Sequence, residues 1–202
     1  LYAVGKMGQK PEDEKPENWT EEKTRNETDL IRTRITKVID HEMQDDPYAK
    51  EAFSALLRKV IEEAESLFDH PLKQLMLFKE FEEQVTERKL DTIPAIFEGH
   101  RHAQAYYGVF LKTFAAIFNH KQTEEEQQSW IDLAFQIDSI VSKAVRENSL
   151  SRPDMEKTVT LALISLLFPV GQKIGFGLDK ITEITTQVIQ IMRAGPADTL
   201  RG

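Results

Sequence analysis

Apolar side chains recur at intervals of three and four residues along most of the chain, from about residue 20 to residue 194. This spacing gathers them on one side of an α-helix. No segment of useful length alternates apolar and polar residues with the period of two that is typical of a half-buried strand. The sequence therefore predicts an all-α fold, a compact multi-helix domain of about seven to eight helices.

Capping residues and helix breakers divide this pattern into separate helices. A short polar side chain ahead of an acidic first turn, or a proline at the first helical position, is typical of a helix start. The predicted starts are Asn18 with Glu21, Asp46 with Pro47, His70 with Pro71, Thr123 with Glu126, and Ser151 with Asp154. A short turn is predicted at residues 93–97 and a fifth helix at about residues 102–118. The seventh helix is predicted to end near Phe168 and Pro169, and the last at Gly195.

Both ends of the chain differ in composition from the helical part. Residues 1–19 combine two glycines and two prolines with many charges and are predicted to be an irregular linker from an upstream region. Residues 20–194 form the predicted helical domain and residues 195–202 a tail. Residues 158–170 are strongly apolar but fall short of the ~20 residues that a membrane span needs, so we expect a buried helix and no membrane partner.

The charge distribution changes the expectation for nucleic acid. The net charge of -8 comes entirely from residues 1–100, which hold 15 basic and 23 acidic residues. Residues 101–202 hold 11 of each and are neutral overall. Phosphate binding depends on local charge, so the overall charge does not exclude a basic face in the second half. The chain has no cysteine, which excludes disulfides and thiolate chemistry and suits a reducing cytoplasm. Because it begins with Leu1, we expect a piece of a longer protein.

A search for catalytic spacing finds no site. No two of the five histidines are spaced to place two metal ligands on one helix face, and no catalytic triad can be argued. The glycines of residues 171–177 precede a predicted helix, as in phosphate-binding loops, but they lack the spacing of those loops and a preceding strand. We interpret them as a flexible turn. A nucleotide pocket there stays an alternative, to be decided by calorimetry with ATP.

The remaining signals concern binding. The candidates for DNA-backbone contacts are Lys143, Arg146, Arg152, Lys173 and Lys180, although a solvated helix face is the commoner explanation of such charges. Arg101 and Tyr107 are candidates for a partner interface. Tyr106 and Tyr107 are adjacent on a helix, so one ring is expected at a surface or groove, although a wide core contact is the commoner explanation of such a pair.

Several strings carry a resemblance to a known family. They are residues 38–49 (VIDHEMQDDPYA), 68–74 (FDHPLKQ), 78–82 (FKEFE), 102–110 (HAQAYYGVF), 147–151 (ENSLS), 177–180 (GLDK) and 188–193 (VIQIMR). In this order they resemble the carboxyl-terminal region of the motor (R) subunit of type I restriction–modification enzymes, most of all the IC-type subfamily. The resemblance covers about residues 21–193.

That resemblance implies a function without catalysis for this segment. In the family, the endonuclease domain and the helicase-like motor domains, with their ATP and Mg²⁺, lie upstream. The carboxyl-terminal module is helical, and it is implicated in docking the motor onto the methyltransferase core of M and S subunits, with a contribution to duplex DNA binding. We therefore expect no cofactor in this segment and a location in the bacterial cytoplasm. DNA-backbone binding as the main task is the alternative.

Overall fold

The computed structural model describes residues 15–120, 122–147 and 152–195. These ranges contain eight α-helices and no β-strand, which confirms the predicted all-α class. The helices are α1 (Glu21–Lys37), α2 (Pro47–Ser66), α3 (Pro71–Glu87), α4 (Arg101–Thr113), α5 (Ala115–Phe118), α6 (Glu124–Arg146), α7 (Arg152–Ile174) and α8 (Leu178–Ala194). Short 3-10 turns at Pro16–Asn18 and Ala95–Phe97 and a π-helical turn at Val38–Glu42 complete them.

Helices α1, α2 and α3 enclose a first hydrophobic core. The most extensive contact is between α1 and α3, and its buried side chains include Ile31, Ile35 and Phe78. Trp19, which falls in the predicted linker, packs against the same core and lies 4.5 Å from the ammonium of Lys23. The ordered packing therefore starts before α1. Residues 1–14 and 196–202 of the predicted linker and tail lie outside the described residues.

Helices α4, α6, α7 and α8 enclose a second, larger core. Its centre contains Phe110, Trp130 and Ile184, and α4 contacts both α6 and α8. The predicted single domain thus contains two cores, and Ile93 in the connection between α3 and α4 packs against both of them.

The structure corrects two helix ends within the predicted domain. Thr20, and not Asn18, caps α1, because its hydroxyl accepts a hydrogen bond from the Lys23 amide at 3.2 Å. The predicted caps at Asp46 and at Thr123 with Glu126 are confirmed. The fifth predicted helix is broken at Phe114 into α4 and α5.

Helix α7 is longer than predicted because it continues through Pro169 to Ile174. It ends at Gly175, whose φ of +94° favours glycine. Only part of α7 is buried, since Leu161, Ile164 and Phe168 are exposed, so the expectation of a buried helix is wrong for its outer side. Among the described residues, α7 alone has the length and composition of a possible membrane span, and 22% of its most apolar window is buried.

The two halves meet where α2 crosses α4 at Gly108. A Cβ atom at Gly108 would lie 2.6 Å from the Cβ of Tyr48, so the helices approach as closely as they do because residue 108 has no side chain. Two polar contacts flank the crossing. The Tyr48 hydroxyl lies 2.8 Å from Thr92 Oγ1, and the Lys112 ammonium donates to Glu51 at 2.7 Å.

We predict that Gly108→Ala lowers the free energy of unfolding by about 1–2 kcal/mol, because the added methyl group must push α2 away from α4. Urea unfolding followed by circular dichroism measures the change. In an open helix interior the same substitution raises stability by about 1 kcal/mol, so a stabilised variant would contradict the close crossing. Tyr48→Phe is the control, since it removes the bond to Thr92 and leaves the crossing unchanged.

Candidate functional site

A buried ionic network lies where the two halves join, and its centre is the guanidinium of Arg88. Arg88 is the residue after α3; its backbone is left-handed, with φ of +54°, and the residue is 6% exposed. Its Nη2 atom donates to the carbonyl of Glu42 at 3.0 Å and to the carboxylate of Asp45 at 2.8 Å. Its Nη1 atom lies 4.0 Å from Oδ2 of Asp46. One cation thus holds the turn that follows α1 and the start of α2.

The same network reaches the second half through two further contacts. Gln104 of α4 donates from Nε2 to the carbonyl of Arg88 at 3.0 Å. At the end of α8, a Cβ atom on Gly195 would lie 2.7 Å from Cβ of Asp45, so α8 also ends against this network. Five segments therefore converge on a single buried arginine.

Asp46 is the most deeply buried acid of the network. Its Oδ1 accepts from the Ala49 amide at 3.0 Å and caps α2, while its residue is 1% exposed. Burial raises the pKa of Asp46 to about 6, although the hydrogen bond from Ala49 and the charge of Arg88 oppose the increase. The position serves two functions at once, as a helix cap and as part of the ionic network.

A second polar group, which the sequence did not reveal, lies between α4 and α6. Asp138 lies near the imidazoles of His100 and His102 and the guanidinium of Arg146, and Ser142 donates to it. Burial raises the pKa of Asp138, and the two histidines, Ser142 and Arg146 act in the opposite direction. Within the described part of the chain, no group of three or more acidic or histidine side chains is arranged to hold a metal ion.

The five predicted DNA contacts do not form one patch. Lys143 and Arg146 lie in the last turn of α6 and Arg152 begins α7, whereas Lys173 lies at the other end of α7 and Lys180 in the first turn of α8. Arg152 and Lys173 are separated by roughly 31 Å at the rise of an α-helix. Three of the five have an acid within 4.0 Å: Lys143 with Glu147, Arg152 with Glu156, and Lys180 with Glu183.

The two predicted interface residues differ in exposure. Arg101 begins α4, is exposed, and lies 3.5 Å from the carbonyl of Thr86. Tyr107 is 2% exposed and Tyr106 is 1% exposed, so the expectation that one ring faces outward is wrong. The alternative of a wide core contact applies: the Tyr107 ring packs against Phe97 at 5.0 Å. Burial raises the pKa of both phenols.

The glycines of residues 171–177 form a helix end and not a flexible loop. The amides of Gly175 and Phe176 both donate to the carbonyl of Gly171, at 2.7 and 3.0 Å. These two amides are therefore already bonded within the chain and do not point to a phosphate. A side chain at residue 171 would lie 2.6 Å from the carbonyl oxygen of Phe176, so this glycine permits the tight turn.

Exposed apolar side chains and a cleft are the surface features that could receive a partner. The cleft, of about 660 Å³, lies beside Trp130, with Ile117, Leu133 and Val170 in its wall and Lys173 at its edge. Phe68, Leu72 and Met76 are exposed at the start of α3, on what we call the α3 surface. The guanidinium of Arg25 lies over the Phe68 ring at 4.5 Å and donates to the Phe68 carbonyl at 3.0 Å, which fixes this turn in place.

No family model, curated protein or solved structure matches the chain. Function is therefore inferred from the surfaces described above together with the family resemblance of the sequence.

Replacing Arg88 tests how strongly its guanidinium stabilises the end of α3 against the turn after α1 and the start of α2. We predict that Arg88→Ala lowers the free energy of unfolding by about 3–5 kcal/mol, because the buried Asp46 and the partly buried Asp45 lose their cation. Arg88→Gly should be less destabilised by about 1 kcal/mol, since glycine adopts the left-handed conformation without strain. Urea denaturation of both variants measures the difference. Equal losses of unfolding free energy in the two variants would show that the left-handed backbone at residue 88 does not affect stability.

A pH series tests the burial of Asp46. The pKa of Asp46 is higher in the folded chain, about 6, than its ordinary value of 3.8, so acidification favours the folded state. This contribution is fully present below pH 4 and is lost as the pH rises through 6. Asp46→Asn retains a good helix cap and removes the titration. We predict that the stability of the wild type relative to Asp46→Asn rises by about 1 kcal/mol from pH 7 to pH 5. A pH-independent difference would contradict it.

Proposed function

We propose that this chain is a non-catalytic assembly module that docks the motor subunit of a type I restriction enzyme onto its methyltransferase core. The sequence resemblance supplies the identity of the partner. The observation that carries the docking role is the set of large apolar side chains that the fold leaves outside both cores, such as Phe68 (64% exposed) and Met76 (54%). Exposed apolar groups that lie together are typical of a protein–protein contact.

The α3 surface is the part of the chain that we assign to this docking. Leu72 and Met76 are one helical turn apart, so they project from one side of α3, and Phe68 precedes them at the turn. Acidic side chains are also exposed on α2 and α3, among them Glu65 of α2 and Glu80 of α3. An apolar centre with a charged rim is the usual composition of a specific interface.

Duplex DNA binding is a smaller part of the proposed function. The basic candidates lie in two groups at opposite ends of α7, and three of them have acidic neighbours, so neither end presents a continuous basic track. With an overall charge of -8, the isolated chain should bind naked DNA weakly. This arrangement favours a module that contributes a few phosphate contacts after assembly over one whose main task is to bind DNA.

Gel filtration of the chain with purified M and S subunits tests the docking. We predict that Met76→Glu, with or without Phe68→Glu, weakens the complex at least ten-fold, since each places a charge in an apolar contact. Leu178→Glu is the matched control, because Leu178 is equally exposed (63%) but belongs to the second half of the chain.

In the full-length motor subunit, deletion of residues 21–193 should abolish assembly with the methyltransferase. Unchanged assembly would contradict the docking role. Neutralising the five basic candidates should leave assembly intact and reduce the DNA affinity of the complex only modestly; a collapse of DNA affinity with normal assembly would instead favour DNA binding as the main task.

A further inference from the structure

Helix α7 has two apolar sides, and only one of them is covered. The covered side packs against α6 and α8 through Val159, Leu163, Leu167 and Gly171. The uncovered side carries Leu161 (57% exposed), Ile164 (37%) and Phe168 (47%), together with the exposed Ser165. We call these last four residues the α7 stripe. One helix thus contributes to the core and leaves a second apolar surface outside it.

The α7 stripe continues as a seam along the helix. At 100° per residue, Leu161, Ser165 and Phe168 lie within about 60° of one another, and Lys157 and Gln172 lie within about 40° of Leu161 on the same side. No charged residue occurs between Lys157 and Lys173. From Leu161 to Gln172 the steps are four, three and four residues, a spacing typical of a helix that pairs with another helix.

The α7 stripe is complementary to a reversed copy of itself. About a point midway between residues 164 and 165, reversal of the helix brings Leu161 opposite Phe168, and Ile164 opposite Ser165. Leu161 of either copy then meets Phe168 of the other, and Ile164 meets Ser165, so both copies make the same contacts. This is the condition for an isologous contact about a two-fold axis.

Charge decides the direction of such a pair. In a parallel pair, Lys157 would face Lys157 of the other copy and Asp154 would face Asp154, which places like charges opposite each other. In the antiparallel pair, Lys157 faces the neutral Gln172. We therefore propose that α7 pairs antiparallel with α7 of a second copy of this chain.

This contact lies outside the α3 surface and does not depend on the proposed docking. It consists of one helix from each copy with few apolar side chains, which is at the small end of specific interfaces. The association is therefore weak, with a dissociation constant of roughly 10–100 µM. The pairing joins two copies of the chain with their α7 helices reversed.

Analytical ultracentrifugation of the chain over a range that brackets this constant tests the pairing. The wild type should shift from monomer to dimer with increasing concentration, and Phe168→Glu should weaken the dimer at least ten-fold. Leu30→Glu is the matched control, because Leu30 is exposed to a similar degree (55%) on α1, and it should dimerise like the wild type. A wild type that stays monomeric, or a Phe168→Glu variant that dimerises unchanged, would overturn the proposal.

Disulfide trapping tests the direction and does not alter the α7 stripe. The chain has no cysteine, so Lys157→Cys and Gln172→Cys each introduce a single thiol at an exposed position. On oxidation, an equal mixture of the two variants should give a cross-linked 157–172 dimer, while each variant alone should not, since identical positions are about 22 Å apart along an antiparallel pair. Cross-linking of either variant with itself would overturn the antiparallel arrangement.

An apolar helix side can also bind a lipid membrane. A flotation assay with vesicles distinguishes membrane binding from pairing with a second copy of the chain. Vesicles of phosphatidylcholine and phosphatidylglycerol should not carry the wild type upward. Flotation that Phe168→Glu abolishes, in a chain that sediments as a monomer, would overturn the proposal. Circular dichroism of each variant verifies that its helical content equals that of the wild type.

Discussion

The fold depends on the placement of one buried positive charge between two separate hydrophobic cores. Each core is closed by its own helices, and the apolar contacts between the two halves are the crossing of α2 and α4 and the packing of Ile93 against both cores. Arg88 adds polar links at this junction. Its guanidinium donates to the carbonyl of Glu42 and the carboxylate of Asp45 and lies 4.0 Å from the carboxylate of Asp46, while its own carbonyl accepts from Gln104 of α4. A charge without these partners would be costly to bury, so the network permits few arrangements of the surrounding helix ends.

This constraint explains why several unfavourable features occur together. Arg88 adopts a left-handed backbone, Asp46 remains in a buried site where its pKa rises, and two glycines, Gly108 and Gly195, lie where any side chain would collide. Each is explained by the same requirement that α2, α4 and α8 come close to the end of α3. With this joint fixed, the apolar side chains left outside the cores are held in defined positions, as a docking surface requires.

The sequence predicts the local structure well and the contacts between distant elements poorly. Asp46 with Pro47, and Thr123 with Glu126, signal helix starts because a cap acts within one turn. By contrast, Arg88 and Asp138 have charged neighbours more than thirty positions away, and nothing local identifies them. Tyr106 and Tyr107 illustrate the same limit. Adjacent rings suggest opposite sides of a helix, yet neighbouring elements bury both because α4 is enclosed on several sides.

In helix α7, one continuous apolar run supplies both a buried side that packs in the core and an exposed side. Complete burial is the simplest interpretation of an uncharged run such as residues 158–172, since apolar residues on all sides favour a central helix. In this fold α6 and α8 cover only one side of α7, and Pro169 is accommodated near its end without stopping it. The uncovered side costs free energy in water and contributes nothing to either core. A contact outside the folded chain would remove this cost, and because this side of α7 and the α3 surface lie on different helices, the fold allows two contacts at once.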